Sequence, residues 1–296
     1  MKPLRLTLLK KGIFLLLLAS MGWGCEDVIE VEVPAEEQRL VVDAIIRIDT
    51  SQTFFRPEIK VTRSTPFFDQ AEPVSNITQM TISNLGNDGL GTGFIVLEEV
   101  EPGTGIYSDQ DPVFVEFFTN GELILQIVHE GRLYFARTRF VPSVEIDELR
   151  QGDDILFSED DTEVIVQITD TPLEDNYYVF DFGFSEFLTV EDQFFDGQPF
   201  EFSYFYDTDL EPGDEIEVSI LGADQGFYDY MTLLIEQTQD DGGVFQTPVA
   251  IVRGNVFDVT DLDNDEVVDN VSQPEVFPLG YFAIVQEFKA TLTIQE

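Results

Sequence analysis

The residues best placed by type and spacing to do chemistry are carboxylates. Asp261, Asp263, Asp265 and Asp269 occupy positions one, three, five and nine of an acidic loop, a spacing that lets a turning backbone converge oxygens on Ca2+. Two departures from an EF-hand stand out: Glu266 replaces the glycine of the sharp turn, and Ser272 stands where the bidentate Glu would be. An ordinary acidic surface loop would carry the same residues. Ca2+ is therefore the one cofactor this spacing suggests, and a calcium-dependent adhesion or structural module is one reading of the chain.

Other candidates are sparser. Arg137 and Arg139 fall two apart in an apolar run, so they share one strand face and could anchor a partner's carboxylates; surface arginines more often pair with local acids. The single histidine, His129, reads as a turn residue between two apolar runs. There is no G-x-S-x-G, no H-E-x-x-H and no glycine-rich phosphate loop. A glycosidase needs only two carboxylates, so a surface hydrolase of glycans with an Asp/Glu pair stays open as the rival to a non-catalytic role, although no residue points to it. One cysteine with one histidine leaves no Cys/His zinc site and no internal disulfide.

That cysteine, Cys25, follows Lys2, Arg5, Lys10 and Lys11, the apolar run of residues 13–19 and the small-residue stretch Gly22-Trp23-Gly24. This is the layout of a secretory signal, too short for a comfortable transmembrane helix. Placed there, Cys25 is the expected lipidation site, residues 1–24 the lipoprotein signal peptide and residues 25–37 an acidic tether. Attachment to the membrane would run through the N-terminal lipid alone. The loose lipobox, with bulky Trp23, resembles those of Bacteroidota lipoproteins. The acids directly after Cys25 resemble that phylum's signal for display on the cell exterior.

Fifteen Lys+Arg against 58 Asp+Glu give a net charge of -43, a field that repels nucleic acid and anionic membrane surfaces; nucleic acid is excluded as a partner. The charge is uneven. Residues 38–142 carry 14 acidic and eight basic residues, whereas residues 143–296 carry 38 and three.

The elements that must hold these residues are mainly β. Residues 58–63 and 80–83 alternate, and residues 123–128 and 133–140 form two apolar runs joined by His129-Glu130-Gly131-Arg132, a hairpin with Gly131 in the turn. Tyr178, Phe180, Phe182 and Phe184 share one face, and Phe200, Phe202, Tyr204 and Tyr206 share another; both faces are expected to be core. Phe187, Phe194, Phe195 and Phe205 fall outside them and are the candidates for exposure. Phe227, Met231, Leu234 and Ile235 follow helical spacing, with Asp224 as N-cap and Gly242-Gly243 as the stop, predicting one helix over about 224–239. The expectation is two β-sandwich domains: residues 38–142, immunoglobulin-like or transthyretin-like, and residues 143–296, acidic and carrying one packed α-helix.

Several segments, in order, resemble a family of Bacteroidota outer-membrane lipoproteins known as domain of unknown function 4249. They are Cys25-Glu26-Asp27 with Leu40-Val41-Val42, Glu72-Pro73-Val74-Ser75, Gly131-Arg132-Leu133-Tyr134-Phe135-Ala136 followed by Pro142, and Asp170-Thr171-Pro172 with Asn176-Tyr177-Tyr178. Tyr228-Asp229-Tyr230, Arg253-Gly254-Asn255-Val256 and Leu279-Gly280-Tyr281-Phe282 complete the set. The resemblance implies an outer-membrane, surface-facing, non-catalytic lipoprotein that partners a SusC-like TonB-dependent receptor in an uptake or envelope complex. It supplies no catalytic residues, and residues 258–278, which hold the acidic loop, look longer than the family norm.

Overall fold

The computed structural model describes residues 38–65, 71–154, 162–206, 208, 210–238, 251–260 and 276–295. The described chain is mainly β. It runs from β1 (Leu40–Ile48) through β2 (Phe54–Phe55), β3 (Glu58–Arg63), β4 (Glu72–Pro73), β5 (Gln79–Asn84) and β6 (Gly93–Val96). Next come β7 (Glu98–Glu99), β8 (Ile106–Ser108), β9 (Val113–Phe114), the short helix α1 (Val115–Thr119) and the hairpin β10 (Glu122–His129) and β11 (Arg132–Val141). Then follow β12 (Ile146–Gln151), β13 (Thr162–Thr169), β14 (Tyr177–Asp181), β15 (Phe187–Glu191), β16 (Pro199–Tyr206) and β17 (Glu215–Ala223). Helix α2 (Gln225–Thr238), β18 (Phe257–Asp258) and β19 (Leu279–Thr293) complete it.

Strand β1 shows how alternation is converted into architecture. Leu40, Val42, Ala44, Ile46 and Ile48 are buried in the first core, while Asp43, Ile45 and Arg47 point to the opposite side. Burying a Val or Ile side chain is worth about 1.5–3 kcal/mol. A one-residue slip would expose that set and drive Arg47 inward, so the register is strongly fixed. The hairpin forms as its sequence predicts: His129 pairs with Arg132 across a two-residue turn in which Glu130 and Gly131 have φ of 50° and 79°, the twist that suits a tight hairpin. His129 itself is not in the turn. It ends β10 as a buried residue, with Nε2 3.4 Å from Arg63 Nη2.

The first core gathers β1, β3, β5, β10 and β11, and it also takes Phe282 and Ile284 from β19. The second lies between the β12–β13–β16 sheet and strands β14 and β17, joined by Phe288 and Leu292 of β19. Its aromatic faces match expectation for Tyr178, Phe180, Phe182 and the β16 series, but Phe184 is 61% exposed and sits past the strand with φ 52°. Of the four aromatics singled out for exposure, Phe194 is 89% exposed, Phe195 is buried, and Phe187 and Phe205 are half-buried. Residues 146–151 form strand β12, directly after the start of the second half.

Helix α2 begins as read from the sequence. Asp224 Oδ1 accepts the Phe227 N–H at 2.8 Å, relieving an otherwise unpaired first-turn donor. Phe227 and Met231 pack with Val179, Leu221, Tyr281 and Val285 on the other side of the β14–β17–β19 sheet. Leu234 is 37% exposed, so the stripe leaves the sheet before the helix ends.

Strand β19 is thus shared. It runs parallel to β1 from Val41↔Leu279 to Ile48↔Gln286 and antiparallel to β17 from Leu221↔Glu287 to Glu215↔Thr293. From Gln38 onward the chain is one compact unit whose buried residues form three clusters; β19 contributes to all three, and β18, although beyond residue 143, pairs with β11. Where β19 begins, backbones touch. A Cβ on Gly280 (φ +98°) would lie 2.0 Å from the Val42 carbonyl oxygen, and one on Gly254 would lie 1.7 Å from the Gly280 oxygen. Gly280→Ala is expected to destabilise the chain by about 3 kcal/mol or more, measured as a lower urea midpoint with an unchanged slope.

Candidate functional site

Two charged constellations stand out among the described residues. The first lines a cleft of about 330 Å3 that includes Arg47, Asp181, Glu215, Glu217 and Lys289. Arg47, on the outer face of β1, reaches across β19: its Nη1 is 2.7 Å from Asp181 Oδ2 and 3.2 Å from Glu287 Oε1. Lys289 Nζ is 2.7 Å from Glu217 Oε1 and 3.9 Å from Glu287 Oε2. Charges therefore alternate from Asp181 to Glu217 across four strands. Burial alone would pull the Arg47 pKa down, but the hydrogen bond and charge of Asp181, aided by Glu287, push it up overall. The hydrogen bond to Glu217 likewise raises Lys289 against a smaller opposing effect of burial. The cleft presents fixed charges of both signs, suited to positioning a polar ligand.

The second is an acidic corner where two strand pairings end. The β13–β16 ladder finishes at Thr169↔Pro199 and the β14–β15 ladder at Tyr177↔Glu191, so the segments 170–176 and 192–198 leave at the same place. They bring Asp170, Asp192 and Asp196 together, one carboxylate oxygen from each lying within 4.8 Å of the others. Asp170 is anchored by the Tyr178 hydroxyl on Oδ1 (2.5 Å) and the Gly197 N–H on Oδ2 (2.8 Å). Asp196 Oδ1 accepts the Leu173 N–H at 2.8 Å. Burial pushes the Asp192 carboxyl above the usual range; the Asn176 backbone N–H opposes this, and the neighbouring charges of Asp170, Asp196 and Asp175 add to it. The sequence reading missed this corner because its acids are 22 and four residues apart and only strand register joins them; a pairing of the two aromatic strands ending at Tyr177 would have exposed it.

Of the residues singled out from sequence, Arg137 and Arg139 are exposed on one face of β11 and have no ion pair among the described residues. Glu122 stands opposite Arg139 in the hairpin register. Cys25 and the loop acids Asp261, Asp263, Asp265 and Asp269 lie outside the described residues. Two segments noted for their family resemblance do meet: Asn255 Nδ2 donates to the Phe282 carbonyl and its Oδ1 accepts the Phe282 N–H, both at 2.8 Å. Beside them Arg253 and Arg39 stack on the Phe277 ring, their Cζ atoms 3.6 and 3.8 Å from its centroid.

These features define a mainly β chain with a shared last strand and a charge-rich second half. It belongs to the family described as domain of unknown function DUF4249, which it matches over residues 26–268. No curated protein matches it. Among solved structures it is similar to red sea bream transglutaminase at 9% identity and a TM-score of 0.21, over 64% of this chain and 29% of that one. It is also similar to a DUF3823 family protein from Bacteroides ovatus at 9% identity and a TM-score of 0.22, over 64% of this chain and 91% of that one.

Removing Arg47 would leave Glu287, whose side chain is only 10% exposed, with only the longer 3.9 Å contact to Lys289 among the described residues. Arg47→Met is expected to cost about 1–3 kcal/mol in urea unfolding. Arg47→Lys should recover only part of that loss, because the shorter side chain carries its ammonium less far across β19 toward Asp181 and Glu287.

Proposed function

We propose that this chain is a non-catalytic, lipid-anchored outer-membrane protein, facing the cell exterior, that acts as an accessory subunit of a SusC-like TonB-dependent uptake complex. The observation that carries this reading is the junction at residue 25. A secretory-type leader ends at Cys25, and the family match begins at the very next residue. A diacylated N-terminal cysteine provides enough buried methylenes for stable anchoring.

The division of charge supports a docking role. The first half is nearly balanced, and its exposed Arg137 and Arg139 offer guanidiniums for carboxylates on a partner. The second half carries 38 of the 58 acids, a field that keeps that side solvated and favours cationic ligands. A calcium-dependent module is a second reading, and the acidic corner favours it over a hydrolase.

Cys25→Ala is expected to abolish palmitate labelling and to release the protein from the membrane fraction; a variant still labelled and membrane-bound would refute the anchor. Affinity purification from the native envelope should recover a TonB-dependent barrel. Arg137→Glu with Arg139→Glu should lose that barrel while changing stability by no more than about 0.5 kcal/mol, as expected of exposed positions. Repeated recovery of the chain without any barrel would contradict the role.

A further inference from the structure

We propose that Asp170, Asp192 and Asp196 form a Ca2+ site that clamps together the ends of the two sheet ladders in the second half. This site is independent of the transport reading and uses none of the acids of residues 261–269.

Three observations carry it. Asp170 and Asp192 are only 3% and 6% exposed, yet no Lys or Arg occurs between Arg150 and Arg253, and none of the three aspartates has an ion pair among the described residues. Buried carboxylates are kept where they are paired or bind a metal. Asp192 Oδ2 is fully buried and accepts no hydrogen bond. The cluster is also held from outside: both oxygens of Asp170 accept, from the Tyr178 hydroxyl and the Gly197 N–H, and Asp196 Oδ1 accepts the Leu173 N–H.

Asn176 completes the set. With its amide nitrogen turned inward it donates to Asp170 Oδ1 at 3.3 Å and to the Thr171 carbonyl at 3.0 Å. The same amide, turned over, would instead offer its oxygen to a cation beside Asp170 Oδ1 and the Thr171 carbonyl. Carboxylate, amide and backbone carbonyl oxygens are the ligand set of a hard cation. Size selects among such cations. Ligands at 2.3–2.6 Å from Ca2+ can be up to about 5 Å apart across the ion, whereas Mg2+ at 2.0–2.1 Å demands a span of no more than about 4.2 Å. The three carboxylate oxygens lie within 4.8 Å of one another, a separation from which small side-chain shifts bring all three within Ca2+ coordination distance.

The chain, stripped with chelator, would be titrated with CaCl2 and MgCl2 and followed by calorimetry and thermal unfolding. Ca2+ should bind with one strong site at the corner and raise the melting temperature, as any ligand of the folded state does, with Mg2+ far less effective. Asp192→Asn and Asp196→Asn should each weaken that binding by roughly tenfold or more. In chelator, Asp192→Asn should melt at or above the parent, because it removes a like charge, which separates a lost ligand from a failure to fold. No Ca2+ binding would overturn the site. So would binding that both variants retain, binding lost instead on replacing Asp261, Asp263 and Asp265 by Asn, or equal stabilisation by Mg2+.

Discussion

The fold depends on the insertion of β19 between strands that are otherwise not neighbours. Its first half is flanked by β1 and β11, both parallel to it, and its second half pairs with β17. Such a strand is buried on both faces, which is why residues 280–285 read as a continuous buried run and not as an alternation. The pairing becomes possible only where backbones approach without side chains, at Gly280 over Val42 and Gly254 over Gly280. Asn255 closes the same junction by pairing its amide with the Phe282 backbone.

From that junction the charge pattern follows. Because β19 carries Phe282 and Ile284 into one core and Phe288 and Leu292 into the other, its outer positions Glu287 and Lys289 lie where the two halves meet. Arg47 extends from β1 to the same place, so a basic residue of the balanced first half neutralises acids of the second. The acidic corner lies elsewhere, at the far ends of β14 and β15, and receives no such help. There three carboxylates meet with no ion pair among the described residues.

Much of this was legible in the sequence. The alternation of β3, the apolar runs of β10 and β11, the two-residue turn after His129, the aromatic faces of β14 and β16 and the capped start of α2 all rest on local period and local turn chemistry. What escaped was set by register between distant segments. Arg47 finds Asp181, the first and last described strands lie side by side, and Asp170 meets Asp192 only once the β14–β15 hairpin has formed. The sequence drew attention to the acids of residues 261–269 because their spacing is visible within nine residues; a cluster assembled from two loops leaves no such mark. Phe184 misled for a related reason: the period continued past Phe182, but the chain turns at Gly183 into positive φ.

Because β19 pairs with strands of both halves, the two should open as a single cooperative unit. Native-state hydrogen exchange across a denaturant series tests it directly. The amides of β1, β17 and β19 should exchange through one common opening whose free energy equals that of global unfolding. If the amides of β13, β14 and β16 instead opened at markedly lower denaturant while those of β1 and β10 remained protected, the two halves would be separable domains and the account would be contradicted.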